Sequence, residues 1–174
     1  MSDTSLLPPV DAETRLAHQP EDARPELRLW LRLLTCTTMI EREIRRRLAD
    51  RFQITLPRFD LLAQLDKAPE GMTPGEISRR MMVTNGNVTG LVARIAEQGL
   101  VERRRDASDG RVQRIVMTEK GHREFARMAR EHGAWVRELL AGLEPAEREM
   151  LMSLLARTKA SVARASAPRV EAAE

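Results

Sequence analysis

Four short polar side chains, Thr84, Asn85, Asn87 and Thr89, fall within six residues of one another. An asparagine offers a donor and an acceptor together and can pair with adenine in the major groove of a duplex. A threonine can bond a phosphate or touch a thymine methyl. Further along, Arg103, Arg104, Arg105, Arg111 and Arg114 lie within twelve residues, opposed by Asp106 and Asp109. The guanidinium group is planar, permanently charged and weakly hydrated, which suits it to phosphate and to the concentrated negative potential of a narrow minor groove. Arg94 follows the polar cluster, and Arg79 and Arg80 precede it. All three suit phosphate. The competing reading is structural: the polar residues cap or solvate a helix, Thr84 above all, and the arginines form ion pairs on a solvated hairpin.

These residues need elements to hold them. Hydrophobic spacing predicts a long helix from Glu26 to about Phe52, with Leu27, Leu31, Leu34 and Leu48 on one stripe and Trp30, Leu33, Ile40 and Ile44 on the next. Its first half is apolar on more than one side, which calls for cover from both directions. Its second half becomes Glu41-Arg42-Glu43-Ile44-Arg45-Arg46-Arg47. Pro57 starts a shorter helix, Arg58 to about Lys67, with Phe59, Leu62 and Leu65 at helical spacing. Thr73-Pro74-Gly75-Glu76 has the signature of a capping box with proline in the first turn, and its helix ends near Met82. A break is expected at Val83–Gly86. The next helix runs to Gln98, closed by Gly99, with Val88, Leu91, Val92 and Ile95 as its apolar positions.

Two short helices around a tight turn read as a helix-turn-helix. Leu100–Arg103 reads as a strand, Asp106–Gly110 as a polar turn, and Val112, Ile115 and Met117 as a second strand ending at Thr118. Strand alternation places Arg103 and Arg105 on one face and Arg104 on the other. Thr118-Glu119-Lys120-Gly121 opens a helix to about Leu140, Gly142 breaks it, and Glu144-Pro145 starts a last one with Met150, Leu151, Leu154, Leu155 and Val162 on its apolar side. The fold class is mainly α with a small β-hairpin: a winged helix-turn-helix over 57–118, flanked by dimerisation helices over 26–56 and 119–165. Residues 1–25, with Pro8, Pro9, Pro20 and Pro25, read as a mobile arm, and 166–174 as a flexible tail. The spare apolar surface of the terminal helices calls for a partner subunit. Two identical subunits set two such helices about one DNA turn apart, so the binding site should be an inverted repeat.

Composition narrows the classes. Net charge is +3 over 174 residues, but residues 1–25 hold five acids against two arginines, so the positive charge belongs to the remainder. Aromatic content is 3% with no tyrosine, which disfavours single-stranded nucleic acid, whose bases are held by stacking. No run approaches the ~20 apolar residues of a membrane span, and no leader-type segment opens the sequence, so a cytoplasmic setting is expected. The single Cys36 fits a reducing compartment. The sequence shows no phosphate loop, nucleophile motif or metal cluster, so enzymatic activity and a cofactor are not expected, and His18, His122 and His132 lack ligand spacing. A helical protein-interaction adaptor remains the main rival.

Four blocks in order carry a resemblance: Val83-Thr84-Asn85-Gly86-Asn87-Val88-Thr89-Gly90-Leu91-Val92-Ala93-Arg94-Ile95, then Gly99–Arg103, Asp109-Gly110-Arg111-Val112, and Thr118–Gly121. Together, over roughly 27–164, they resemble the MarR family of bacterial transcription regulators. Gly86 and Gly90 depart from the family's usual recognition helix. The resemblance implies that Arg111 enters the minor groove, with Asp109 steering a nearby arginine. It also implies a repressor that binds double-stranded DNA as a homodimer and is released by a small aromatic or anionic effector held where the dimer helices meet the winged helix. The matching positions are Trp30, Met39, Arg42, Arg46, Phe59 and Phe125. With Arg45-Arg46-Arg47 nearby, an aromatic carboxylate or an aromatic acyl-CoA is the expected class, as in relatives controlling aromatic-compound catabolism. Pairing of these arginines with Glu41 and Glu43 is the alternative. A redox response through Cys36 is another; a buried packing cysteine is the preferred reading.

Overall fold

The computed structural model describes residues 25–106 and 109–166. The arm expected over 1–25 and the tail expected over 166–174 therefore lie, apart from Pro25 and Ser166, outside the described residues. The order is α1 (Pro25–Phe52), α2 (Leu56–Asp66), α3 (Pro74–Met81), α4 (Asn85–Glu97), β1 (Val101–Arg105), β2 (Gln113–Met117), α5 (Glu119–Leu139) and α6 (Pro145–Ala165). The chain divides into two compact units, one ending at Trp135 and one beginning at Val136.

In the first unit, α1 buries only Ile44 and Leu48, while α2 buries Phe59, Leu61, Leu62 and Leu65. Ile77 of α3 and Val88, Val92 and Ile95 of α4 complete this layer. The helix-start reading at Thr73 is borne out in full. Thr73 accepts from the Glu76 backbone N–H, and Glu76 accepts from the Thr73 backbone N–H at 2.7 Å. Helix α3 ends because Met82 takes the left-handed conformation at φ 55°.

The strands β1 and β2 form an antiparallel pair in the register Val101↔Met117, Arg103↔Ile115 and Arg105↔Gln113. Met72 adds an isolated bridge, exchanging two backbone hydrogen bonds with Ile115 at 3.0 and 2.8 Å. That bridge ties the loop between α2 and α3 to the sheet. Gly71 sits beside it at φ 73°, where a Cβ would stand 2.5 Å from the Ile115 carbonyl oxygen, so both conformation and space require glycine.

The Thr118-Glu119-Lys120-Gly121 block forms a joint. The Thr118 hydroxyl donates to the Gly99 carbonyl at 2.7 Å and accepts from the Gly121 N–H at 3.0 Å, while Lys120 reaches the Gln98 carbonyl at 2.8 Å. One short sequence thus caps α5 and also satisfies the carbonyls left at the end of α4. Below it, Phe125, Met128 and Trp135 face inward. Phe125 meets Phe59 at 5.5 Å between ring centroids, and Trp135 meets Phe52 at 6.0 Å.

In the second unit, α6 begins with Glu144 and Glu147 in a reciprocal capping box around Pro145. None of its residues is buried, and Met150, Leu151, Met152, Leu154, Leu155 and Val162 are exposed.

Several boundaries and placements differ from the sequence reading: α2 begins at Leu56, before Arg58, and β2 begins at Gln113, after Val112. Asn85 and Gly86, expected in the break, form the first turn of α4, because Thr84 caps it and the helix starts at once. β1 begins at Val101, since Leu100 is still tied to the Ile95 carbonyl at 3.2 Å, and it extends to Arg105. Cys36, expected to be buried, is exposed. Among the described residues little covers the half of α1 that carries it: Leu27, Leu29, Trp30, Leu34 and Met39 are exposed too.

Candidate nucleic-acid interface

The exposed side of α4 is made of small and polar groups. Asn85, Gly86, Asn87, Thr89, Gly90, Ala93 and Arg94 all face solvent, while Val88, Val92 and Ile95 point into the core. Thr84 is the N-cap, its hydroxyl accepting from the Asn87 N–H at 3.4 Å. The Thr89 hydroxyl donates back to the Asn85 carbonyl at 3.1 Å. That leaves both asparagine amides as presented donors and acceptors, Thr84 with its hydroxyl hydrogen, one lone pair and a methyl, and Thr89 with two lone pairs and a methyl. A Cβ built on Gly86 or Gly90 meets nothing within 4 Å. Neither has a left-handed φ. Within the chain, neither packing nor backbone geometry requires them.

The arginines sort into two kinds. Arg79, Arg80, Arg94, Arg103, Arg105 and Arg111 are exposed. The alternation expected of β1 holds, with Arg103 and Arg105 sharing one face and Arg104 on the other. Arg104 is held by Glu102 at 2.5 Å. Arg111 stands at the turn before β2, and its backbone N–H donates to the Asp109 carboxylate at 2.9 Å. Asp109 thus shapes the turn through the main chain, where the resemblance implied that it would steer a nearby arginine.

Arg114 has a different role. It faces Arg104 across the hairpin, and two like charges in register repel. Its guanidinium instead turns to Asp106, donates to the Gly71 carbonyl at 3.1 Å and lies 3.7 Å from Glu76. The Asp106 contact, first among these, holds Arg114 above its ordinary pKa. Asp106 also accepts from the Asp109 N–H at 3.2 Å. Glu76 in turn has its carboxyl held low, mainly by the Thr73 N–H and hydroxyl, with Arg114 adding to the effect. The hairpin turn, the loop before α3 and the cap of α3 are therefore one connected set of hydrogen bonds. The sequence reading grouped Arg114 with the wing arginines and assigned it no role. The clue lay in the Arg104–Arg114 pairing, which obliges one of the two to find an acid.

The six effector positions are not gathered in one place. Phe59 and Phe125 meet in the core, while Trp30, Met39, Arg42 and Arg46 lie on the exposed surface of α1. The arginine run is paired: Arg45 with Glu41, Arg46 with Glu43 at 2.7 Å and Asp50 at 2.9 Å, and Arg47 with Glu43 at 2.6 Å. Hydrogen bonds from Arg46 and Arg47 bring the Glu43 carboxyl down to about 2. Among the described residues no group of three or more metal-ligating side chains occurs, and no helix is long and apolar enough to cross a membrane.

The model of the MarR family matches residues 52–112, from the end of α1 to the wing turn. A helix-turn-helix-type transcriptional regulator of Mycobacterium bovis is 33% identical over 101 residues, covering 58% of this chain and 69% of that protein. The chain spans about two thirds of the length of the curated relatives it matches first. Among solved structures, a MarR family regulator from Silicibacter pomeroyi is 28% identical with a TM-score of 0.69, covering 83% of this chain and 99% of that one. The fold is also shared with Sco3205 of Streptomyces coelicolor, a MarR family regulator solved in complex with DNA, at 24% identity and a TM-score of 0.70, covering 83% and 89%.

Proposed function

Because the chain belongs to the MarR family of helix-turn-helix transcription regulators, we propose that it binds an inverted-repeat operator as a homodimer, represses by occupying that site, and is released by a small molecule. The observation that carries the reading is the pairing of two exposed features on one rigid body. The polar, capped start of α4 is shaped for a major groove, and an arginine-tipped hairpin is pinned to the same body by Arg114. Occupancy is enough for repression, since a dimer spanning two half-sites excludes other proteins from them. The dimer is supported by the apolar side chains left uncovered on α1 and, separately, on α6. Release is supported by a cavity in the first unit.

The test is selection from random duplexes by the purified full chain, followed by anisotropy at several salt concentrations. Expected are an inverted repeat with half-sites one helical turn apart, two chains per duplex, and affinity that falls steeply with salt. Binding no tighter than to random duplex, or one chain per site, overturns the reading.

The two unexplained glycines give a second expectation. In free protein, Gly86→Ala and Gly90→Ala each remove a helix penalty of ~1 kcal/mol. The double variant should melt higher by roughly 4–8 °C. Against the selected operator it should bind more weakly by about tenfold, because the added methyls occupy space that α4 needs to enter the groove. A variant that melts higher and binds as well as the parent removes close approach as the reason for the glycines.

A further inference from the structure

Between α1, α2 and α5, within the first unit, lies an open cavity of about 370 Å3. Ile40, Ile44 and Leu56 form its apolar wall, and Glu41, Asp60 and His132 its polar one. Asp60 is half-buried. Burial raises its carboxyl above the usual range and the Glu41 charge adds to this, while His132 and Arg45 pull the other way. His132 meets Phe59 at 4.8 Å between tilted rings, and burial pushes its pKa down against the pull of the Asp60 charge. Arg45, whose charge acts on Asp60, is already held by Glu41. Two carboxylates stand against one guanidinium and an imidazole whose charged form burial disfavours, so the lining leans negative. An entering carboxylate would lose its hydration and gain no cation. Of the two cations expected from the sequence to receive it, Arg46 is committed to Glu43 and Asp50, and Arg42 is exposed on α1 and does not line the cavity.

We propose that this cavity binds a protonated amine carried on an aromatic or other apolar body, with Asp60 accepting from the ammonium and Ile40, Ile44 and Leu56 covering the body. This rests on the reading above that a small molecule releases the protein from its operator, and it reverses the charge expected of that molecule. A charged donor meeting a half-buried carboxylate makes a charge-assisted hydrogen bond, which the neutral analogue cannot match. Glu41, though paired with Arg45, lines the same space from α1.

The test uses three probes of one shape: 2-naphthylmethylamine, 2-naphthalenemethanol and 2-naphthoate. Calorimetry on the full chain should show the amine binding about tenfold tighter than the alcohol, with no binding of the naphthoate. Asp60→Asn should remove that advantage while operator binding by the variant, which reports its fold, stays intact. Glu41→Gln frees Arg45 and should shift preference from the amine toward the naphthoate; it stands in if Asp60→Asn does not fold. Naphthoate binding as well as the amine, no amine binding, or amine affinity unchanged by both substitutions overturns the proposal. Operator release separates the two readings. If naphthoate releases operator and the amine does not, regulation by a small molecule stands and the amine site falls. If the amine binds through Asp60 and operator is still held, the site stands and the release reading falls.

Discussion

Arg111→Ala is expected to cost the dimer about a hundredfold or more in operator affinity and to leave its melting temperature unchanged. The affinity part follows from position and number. Arg111 is exposed at the hairpin turn, and a guanidinium inserted into a groove contributes ~1–3 kcal/mol. A symmetric dimer loses the contact twice. The salt dependence should flatten as well, because each phosphate neutralised contributes about −0.9 to the slope of log K against log salt. The stability part follows from which atoms are engaged. It is the backbone N–H of Arg111 that donates to Asp109, and alanine keeps that N–H. Arg111→Lys should recover part of the salt dependence and less of the affinity, since an ammonium keeps the charge without the planar fork. Arg114→Ala is the contrasting variant: it should lower affinity and melting temperature together, because its side chain holds the hairpin to Gly71 and Asp106. An Arg111→Ala protein with full affinity and an unchanged salt slope would remove the hairpin from the interface.

Gly121→Ala is expected to be strongly destabilising. A Cβ at Gly121 would stand 2.1 Å from the Leu100 carbonyl oxygen and 2.6 Å from Met117 Cγ. The methionine can swing aside, but the carbonyl belongs to the backbone and accepts from the Thr118 N–H at 3.0 Å. Relief requires α5 to move away from the end of α4 and the hairpin, which breaks the Thr118 joint. Overpacking of this kind costs roughly 1–3 kcal/mol or more. Thermal melts should fall by about 5–10 °C. Gly133→Ala is the matched control, for it lies in the same helix with nothing within 4 Å of its Cβ, and it should raise stability by roughly 0.5–1 kcal/mol. Equal melts for the two variants would show that the approach of α5 to Leu100 is not a constraint.

The parts legible in the sequence are those governed by local rules. The capping box at Thr73 and Glu76, the proline in the first turn of α2 and the glycine at the end of α4 each act within a few residues, so spacing alone places them. The order of elements and the winged helix-turn-helix followed from them. What was not legible depends on neighbours distant in sequence. Cys36 looked like a packing residue because its stretch is apolar, yet among the described residues it is exposed. Residues 45–47 looked like an anion site because charge type is visible in a sequence and pairing is not; every one of them is bound to an acid one turn away. Asp60 carried no signal at all, since only the folded chain brings it to a cavity with His132, 72 positions downstream. Arg114 was visible as a charge but not as a fastener, because Gly71 lies 43 residues before it.

That fastener limits how the molecule can be controlled. With the turn, the α3 cap and the Gly71 loop sharing one guanidinium, the hairpin is tied to the helix-turn-helix at the start of α3, and in the proposed dimer the two probing elements would travel together like one jaw of a caliper. Duplex DNA offers matching notches only at its own pitch of about 34 Å. In the proposed dimer a releasing ligand would then act on how far apart the two jaws stand, and a small error in that gap would disengage both at once.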